Sequence, residues 1–184
     1  MTIKLILASA SPRRADLLRW AGVDIEIDPA DIDEKRAPGE SPPDLVLRLA
    51  RQKALAKAGP GRITLGADTT VFLGDRIFEK PADPAEAAEH LAALSGRTHT
   101  VATAFALTSD EYLVHSQTVT SQVAFRHLSN DMIARYVATG EGLDKAGAYG
   151  LQGLGGFLVE NISGSYTSVI GLPLTEVLKA IKTL

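Results

Sequence analysis

The chain has 184 residues, of which 45 % are apolar and 22 % charged, and its formal net charge is −3. That balance suits one folded soluble domain and argues against disorder. The sequence has no cysteine, which removes disulfides, thiolate zinc sites and a cysteine nucleophile. An acidic total with no basic block also argues against nucleic acid as a partner.

Lys4 to Ala8 is a short apolar run and reads as a buried strand. Its arginines follow the apolar run instead of preceding it, so it does not read as a targeting segment. No apolar stretch reaches the about 20 residues that span a bilayer, so no membrane is expected as a partner. Ser11 and Pro12 suit a helix start, Leu17, Leu18 and Ala21 form one apolar face, and Gly22 ends the helix. Val23 to Ile27 alternates apolar and acidic residues, as a half-buried strand does.

Pro29 to Pro43 has no periodicity and reads as a loop. Asp44 to Ala58 predicts an amphipathic helix, with Leu45, Leu49 and Leu55 on the apolar side and Arg48, Arg51 and Lys53 elsewhere. Ile63 to Leu73 is a β-rich run, and Gly74-Asp75 turns it back through Arg76 to Phe78 as a hairpin. Asp83-Pro84 opens a helix that reaches about Leu94. Thr98–Thr108 and Tyr112–Phe125 predict two long strands, paired antiparallel with one wet face. A capped helix over Ser129–Ala138, a glycine-rich functional loop over Gly140–Gly156, a strand over Phe157–Ile162 and a helix over Leu174–Leu184 complete the chain. Helices alternate with strands early and strands pair later, which predicts an α/β chain with a mixed sheet.

Four segments carry chemistry. Ser9, Ser11, Arg13 and Arg14 surround a strand-to-helix turn, where backbone N–H groups and guanidinium forks favour phosphate oxygens. An ordinary capped helix with two solvated arginines gives the same pattern. The glycines and Gly-Lys-Ser/Thr ending of a Walker loop are missing. Asp68 interrupts an otherwise buried run, so it is paired, metal-bound or in a cleft, unless it is an exposed strand end. Lys80, in Glu79-Lys80-Pro81, is a phosphate contact or a solvated charge. In Asp144 to Gly153 the glycines permit close backbone approach and the amide of Gln152 can read a base edge, although a flexible loop looks similar. His90, His99, His115 and His127 show no metal-ligand spacing and read mostly as surface or strand residues. Ser163 and Ser165 lack the histidine and carboxylate of a serine hydrolase.

Seven pieces together resemble the Maf family of nucleotide pyrophosphatases: LASASPRRADLL at 7–18, RLARQKA at 48–54, LGADTTV at 65–71, EKP at 79–81, LSGRTHTVATA at 94–104, DKAGAYGLQGLGG at 144–156 and SYTSVIGLPL at 165–174. The resemblance implies a single domain over 1–184 with a fold like that of the inosine triphosphate pyrophosphatases. That is a curved mixed β-sheet with flanking helices and two lobes around a nucleotide cleft. It implies metal-dependent hydrolysis between the α and β phosphates, and the cysteine-free chain fits a reducing compartment, so the cytoplasm is expected. The AGAYGLQG and GSY segments resemble the subgroup that prefers dTTP and UTP.

The family's catalytic aspartate falls on Asp68, and its selectivity positions fall on Arg13, Thr69 and Gln152. A triphosphate is densely negative, and Arg13, Arg14, Lys53 and Lys80 could neutralise it; Lys53 is read with Asp68 as catalytic, and Ser9, Arg14 and Lys80 as substrate-binding. Asp68 and Glu34 would hold a divalent cation, Mg2+ or Mn2+, or orient the attacking water. Two alternatives stay open. One is a nucleotide-binding regulator of cell division without turnover, and the other a house-cleaning enzyme for modified pyrimidine nucleotides. A homodimer is expected only because dimers are common.

Overall fold

Strand β1 (Leu5–Leu7) pairs in parallel with β2 (Ile25–Ile27) on one side and β3 (Ile63–Leu73) on the other. The short β4 (Arg76–Phe78) turns back antiparallel onto β3, matching Val71 to Phe78. With β5 (Thr98–Ser109), β6 (Tyr112–Phe125) and β7 (Val159–Ser163) they form one seven-stranded mixed sheet in the order β2-β1-β3-β5-β6-β7. Helices flank the sheet, giving the α/β class expected. The structure is a computed structural model that describes residues 4–184; residues 1–3 of the single domain read from the sequence lie outside the described residues. No helix among the described residues is long and apolar enough to cross a membrane.

The chain divides into two compact units, each drawing on β3, β5 and β6. The first holds the chain up to Thr69, Thr103–Val119 and Gly171–Leu184. Its helix α1 (Pro12–Trp20) starts on a proline, with Ser11 at the N-cap making no side-chain cap hydrogen bond. Leu17 and Leu18 are buried as expected, whereas Ala21 is exposed. Helix α2 (Pro42–Ala56) begins two residues earlier than its pattern suggests. The Ser41 hydroxyl accepts from the Asp44 N–H at 3.3 Å, and the two prolines fill the first turn. Leu45, Val46, Leu49 and Ala50 bury one side of α2. Two positions depart from the expected pattern. Leu55 is 45 % exposed, and Lys53 is buried. The unit closes on α6 (Leu174–Ile181).

The second unit holds Thr70–Ala102 and Thr120–Ile170. Asp83 caps α3 (Pro84–Leu94) by accepting from the Glu86 N–H at 2.9 Å, and Ser129 caps α4 (Asn130–Ala138) by accepting from Met132 at 3.2 Å. Phe78, Leu91, Leu94, Phe125, Tyr149 and Leu158 are central to its core. His90 is buried on α3 instead of lying on a strand or at the surface, while His99 is a strand residue of β5, as read, with its ring buried. His99 Nε2 pairs with the Tyr149 hydroxyl at 2.9 Å, and burial pulls its pKa down to about 4, so the ring is neutral. Besides a 3-10 turn over Leu154–Leu158, which delays the last strand from Phe157 to Val159, two features were not expected from the sequence. One is the short helix α5 (Tyr166–Ile170), and the other is that β5 is buried on both faces from Val101 to Thr108.

Candidate active site

The parallel register matches Leu7 to Leu65, and the Ala8 N–H continues the ladder by donating to the Leu65 carbonyl at 2.9 Å. The next residue, Gly66, faces α2. A Cβ built there would lie 2.2 Å from the Ala50 carbonyl oxygen and 2.5 Å from the Ala54 nitrogen. Only a missing side chain lets helix and strand approach so closely. That contact sets Lys53, on the same turn of α2, within reach of Asp68, two residues along β3. Lys53 Nζ lies 2.6 Å from Asp68 Oδ1 and 2.7 Å from Glu34 Oε1. The lysine side chain is 9 % exposed, that of Asp68 14 % and that of Glu34 54 %. A buried ammonium is stable only with charged partners, and here two carboxylates share it. The trio keeps one net negative charge.

Glu34 reaches this point because its loop is tied to α2. Arg48 donates to both Glu40 oxygens, at 2.7 and 2.9 Å, and to the Lys35 carbonyl at 3.0 Å. Ala37 N–H donates to Glu40 Oε2 at 3.0 Å, and Arg36 Nε to the Glu40 carbonyl at 2.7 Å. The Arg48 hydrogen bonds hold the Glu40 carboxyl down to about 2. Read as a loop, residues 29–43 are indeed without helix or strand up to Ser41, and this clasp gives them a fixed course.

Arg14 forms the second feature of the same unit. Its Nε donates to the Gly171 carbonyl at 2.8 Å, Nη1 to Ser9 Oγ at 2.8 Å and Nη2 to Thr69 Oγ1 at 3.3 Å. Thr69 Oγ1 also pairs with Thr103 Oγ1 at 2.9 Å, and Ser9 Oγ accepts from the Ser11 N–H at 3.3 Å. Three of the five guanidinium N–H bonds are therefore spent on the protein, and two remain. Burial lowers the Arg14 pKa; Asp68 opposes that fall, Arg13 adds to it and Glu34 opposes it. These four charges thus share one electrostatic neighbourhood. The hydroxyls of Ser9 and Thr69 are both engaged by Arg14, so they fix the guanidinium as well as facing any ligand.

The structure brings Ser9, Arg13, Arg14, Glu34, Lys53, Asp68 and Thr69 together in the first unit. Lys80 and Gln152 belong to the second unit, where both are exposed. Thr103 and Gly171 complete the Arg14 support and were not singled out from the sequence. A threonine inside the otherwise apolar run Val101–Leu107 was the available signal for Thr103. Nothing local marked the Gly171 carbonyl.

Asp68 and Glu34 offer hard oxygen donors of the kind that magnesium or manganese takes. Among the described residues no three His, Cys, Asp or Glu side chains gather as a metal-ligand cluster. Two carboxylates suit an ion that draws its other ligands from water and from substrate phosphates. Both carboxylates are paired with the Lys53 ammonium in this structure.

Comparison with known proteins gives the family. The chain is 46 % identical over 185 residues to the dTTP/UTP pyrophosphatase of Syntrophus aciditrophicus (strain SB), covering 99 % of this chain and 90 % of that one. It is 50 % identical over 175 residues to the dTTP/UTP pyrophosphatase of Shigella sonnei (strain Ss046), covering 94 % and 88 %. Among solved structures, the HAM1 protein from Coxiella burnetii superposes with a TM-score of 0.45 at 19 % identity over 67 % of this chain and 73 % of that one. Residues 4–184 match the family of Maf-like proteins, and the chain belongs to that family.

Proposed function

We propose that the chain hydrolyses nucleoside triphosphates, dTTP and UTP by preference, to the monophosphate and pyrophosphate. The observation that carries this reading is the Asp68–Lys53–Glu34 cluster beside the Arg14 fork. Asp68 pairs with Lys53 and shares its electrostatic neighbourhood with Arg13 and Arg14, which supports reading it as a proton acceptor near cations that hold phosphate oxygens. The names and identities of the relatives support the reaction and the choice of pyrimidine nucleotides. The cytoplasm is the proposed compartment, since the cysteine-free sequence suits a reducing one.

In this reading, Arg13, the two uncommitted N–H bonds of Arg14 and the N-terminus of α1 bind phosphate oxygens. Asp68 orients a water and takes its proton as the water oxygen attacks the α-phosphorus. The α,β-anhydride bond breaks, and its electron pair leaves with pyrophosphate. Lys53 offsets the negative charge that builds during this exchange, and Glu34 keeps the ammonium in place. Asp68 and Glu34 would hold a divalent cation, which supplies Lewis-acid neutralisation of the phosphates when bound. Roles for Thr69 and Gln152 at the pyrimidine follow from the family resemblance, and the Gln152 amide at a base edge and Lys80 at a phosphate also from their side-chain chemistry.

A panel of nucleoside triphosphates with magnesium or manganese, scored for monophosphate and pyrophosphate, tests the proposal directly. Release of pyrophosphate from dTTP and UTP is expected. Binding with no release in any combination would favour the regulator without turnover. Asp68→Asn should cut turnover at least about 100-fold while the protein still folds, since it removes a general base and leaves the shape. Full turnover in a folded Asp68→Asn protein would remove Asp68 from the chemistry.

A further inference from the structure

One carboxylate in the second unit has more hydrogen bonds than any surface role needs. Glu141 follows α4 and accepts from three donors. The Leu154 N–H lies 2.7 Å from Oε2, the Gly155 N–H 2.8 Å from Oε1, and the Tyr136 hydroxyl 3.0 Å from Oε1. The Tyr136 hydroxyl in turn accepts from the Gly150 N–H at 3.1 Å. Lys145 Nζ donates to the Glu141 backbone carbonyl and to Asp144 Oδ1. Residues 150–155 are thereby wrapped around one anion from both ends, and Gln152 stands exposed at the middle of that arc.

The loop's composition fits this arrangement. A Cβ on Gly153 would lie 2.3 Å from Glu141 Oε2, and one on Gly155 would lie 2.7 Å from the Tyr136 hydroxyl. A side chain at either glycine would force the carboxylate or the phenol to shift from its present position. Burial by itself would raise the Glu141 pKa; the N–H groups of Gly155 and Leu154 and the Tyr136 hydroxyl outweigh it and hold the carboxyl below its ordinary range. The group is thus an anion at neutral pH, bound by the loop as a small ligand would be.

We propose that Glu141 is a positioning residue for base selection. By fixing the curvature of residues 150–155 it presents the Gln152 amide in one orientation, and this sets the preference among nucleobases. The proposal rests on the nucleotide-hydrolysing reading and on Gln152 facing the base. Glu141 itself touches neither substrate nor reacting atoms.

The test is steady-state kinetics of the full chain on dTTP, UTP and CTP, with wild type, Glu141→Gln, Glu141→Ala and Tyr136→Phe. Glu141→Gln turns one acceptor into an NH2 that faces a backbone N–H. It should raise KM for dTTP and UTP about tenfold, the cost of one lost charge-assisted hydrogen bond. The kcat should stay within about twofold, because the phosphate chemistry is carried by other residues. Preference for dTTP over CTP should shrink by a similar factor. Glu141→Ala should go further in the same direction. Tyr136→Phe removes one of the three donors and should raise KM about threefold; it keeps the question answerable if Glu141→Ala does not fold. A wild-type enzyme whose folded variants keep its KM and its base preference would overturn the proposal. So would a fall in kcat at unchanged KM. A wild type that hydrolyses none of the three nucleotides removes the functional reading itself, and the proposal with it.

Discussion

A Cβ placed on Gly66 would meet the Ala50 carbonyl oxygen at 2.2 Å, so β3 and α2 touch backbone to backbone. Both partners in that contact are main chain and neither can rotate away. An added methyl must therefore push the helix off the strand. Gly66→Ala is expected to cost about 3 kcal/mol of stability, at the upper end for over-packed cores. Because Lys53 rides on the same turn, the variant should also lose turnover beyond what its folded fraction explains. Gly59→Ala is the control: its added Cβ would meet only the Arg62 Cδ, at an ordinary 3.6 Å. Urea titration of both variants alongside kcat decides the point, and a Gly66→Ala protein as stable as Gly59→Ala would refute the close-contact account.

Arg14 supports the site with three donors aimed at three acceptors from distant parts of the chain: Ser9, Thr69 and Gly171. A lysine keeps the charge but cannot reproduce a planar fork. Arg14→Lys should therefore leave the Gly171 carbonyl or one of the hydroxyls unpaired, at a cost of about 1–3 kcal/mol. If the remaining guanidinium N–H bonds hold phosphate, KM for the nucleotide should rise as well. Denaturation and kinetics on the same preparation separate the two effects. Unchanged stability would mean that the three hydrogen bonds contribute nothing net.

The contrast between α2 and its neighbours explains what the sequence revealed. Strand β3, the β3–β4 hairpin and the capped helices α3 and α4 follow from local signals, because caps, turns and period are written within a few residues. Lys53 is different. Helical spacing puts it on the side of Leu49 and Ala50, yet its charge argues for solvent. Only Asp68 and Glu34, brought in from β3 and from the preceding loop, make its burial possible. Strand β5 misled for a related reason. Its threonines count as polar, so the pattern suggests a wet face, whereas Thr103 and Thr108 are fully buried. The family resemblance pointed to Asp68, Arg13 and Thr69. Of the partners of Arg14 and Thr69, Thr103 showed only as a threonine inside an apolar run, and the Gly171 carbonyl depends on a contact that no local pattern encodes.

The Arg48–Glu40 clasp makes a pH-dependent prediction. Glu40 is held at about 2 in the folded chain, against an ordinary 4.5, chiefly by the Arg48 hydrogen bonds. A folded pKa below the unfolded one stabilises the protein at pH values above the unfolded value. As pH falls from 4.5 toward 2, the unfolded chain binds a proton that the native carboxylate still refuses, and that stabilisation disappears. Glu40→Gln lacks the titration altogether. The gap in melting temperature between wild type and variant should be widest near neutral pH, on the order of 1 kcal/mol or about 3 °C. It should close as pH drops through the window from 4.5 to 2. Since the clasp also fixes the loop that carries Glu34, the variant should lose turnover at neutral pH. A melting-temperature gap that is constant from pH 7 to pH 2.5 would show that Glu40 is not held by Arg48 in solution. Thermal melts across that range, with far-UV circular dichroism as the signal, supply the measurement.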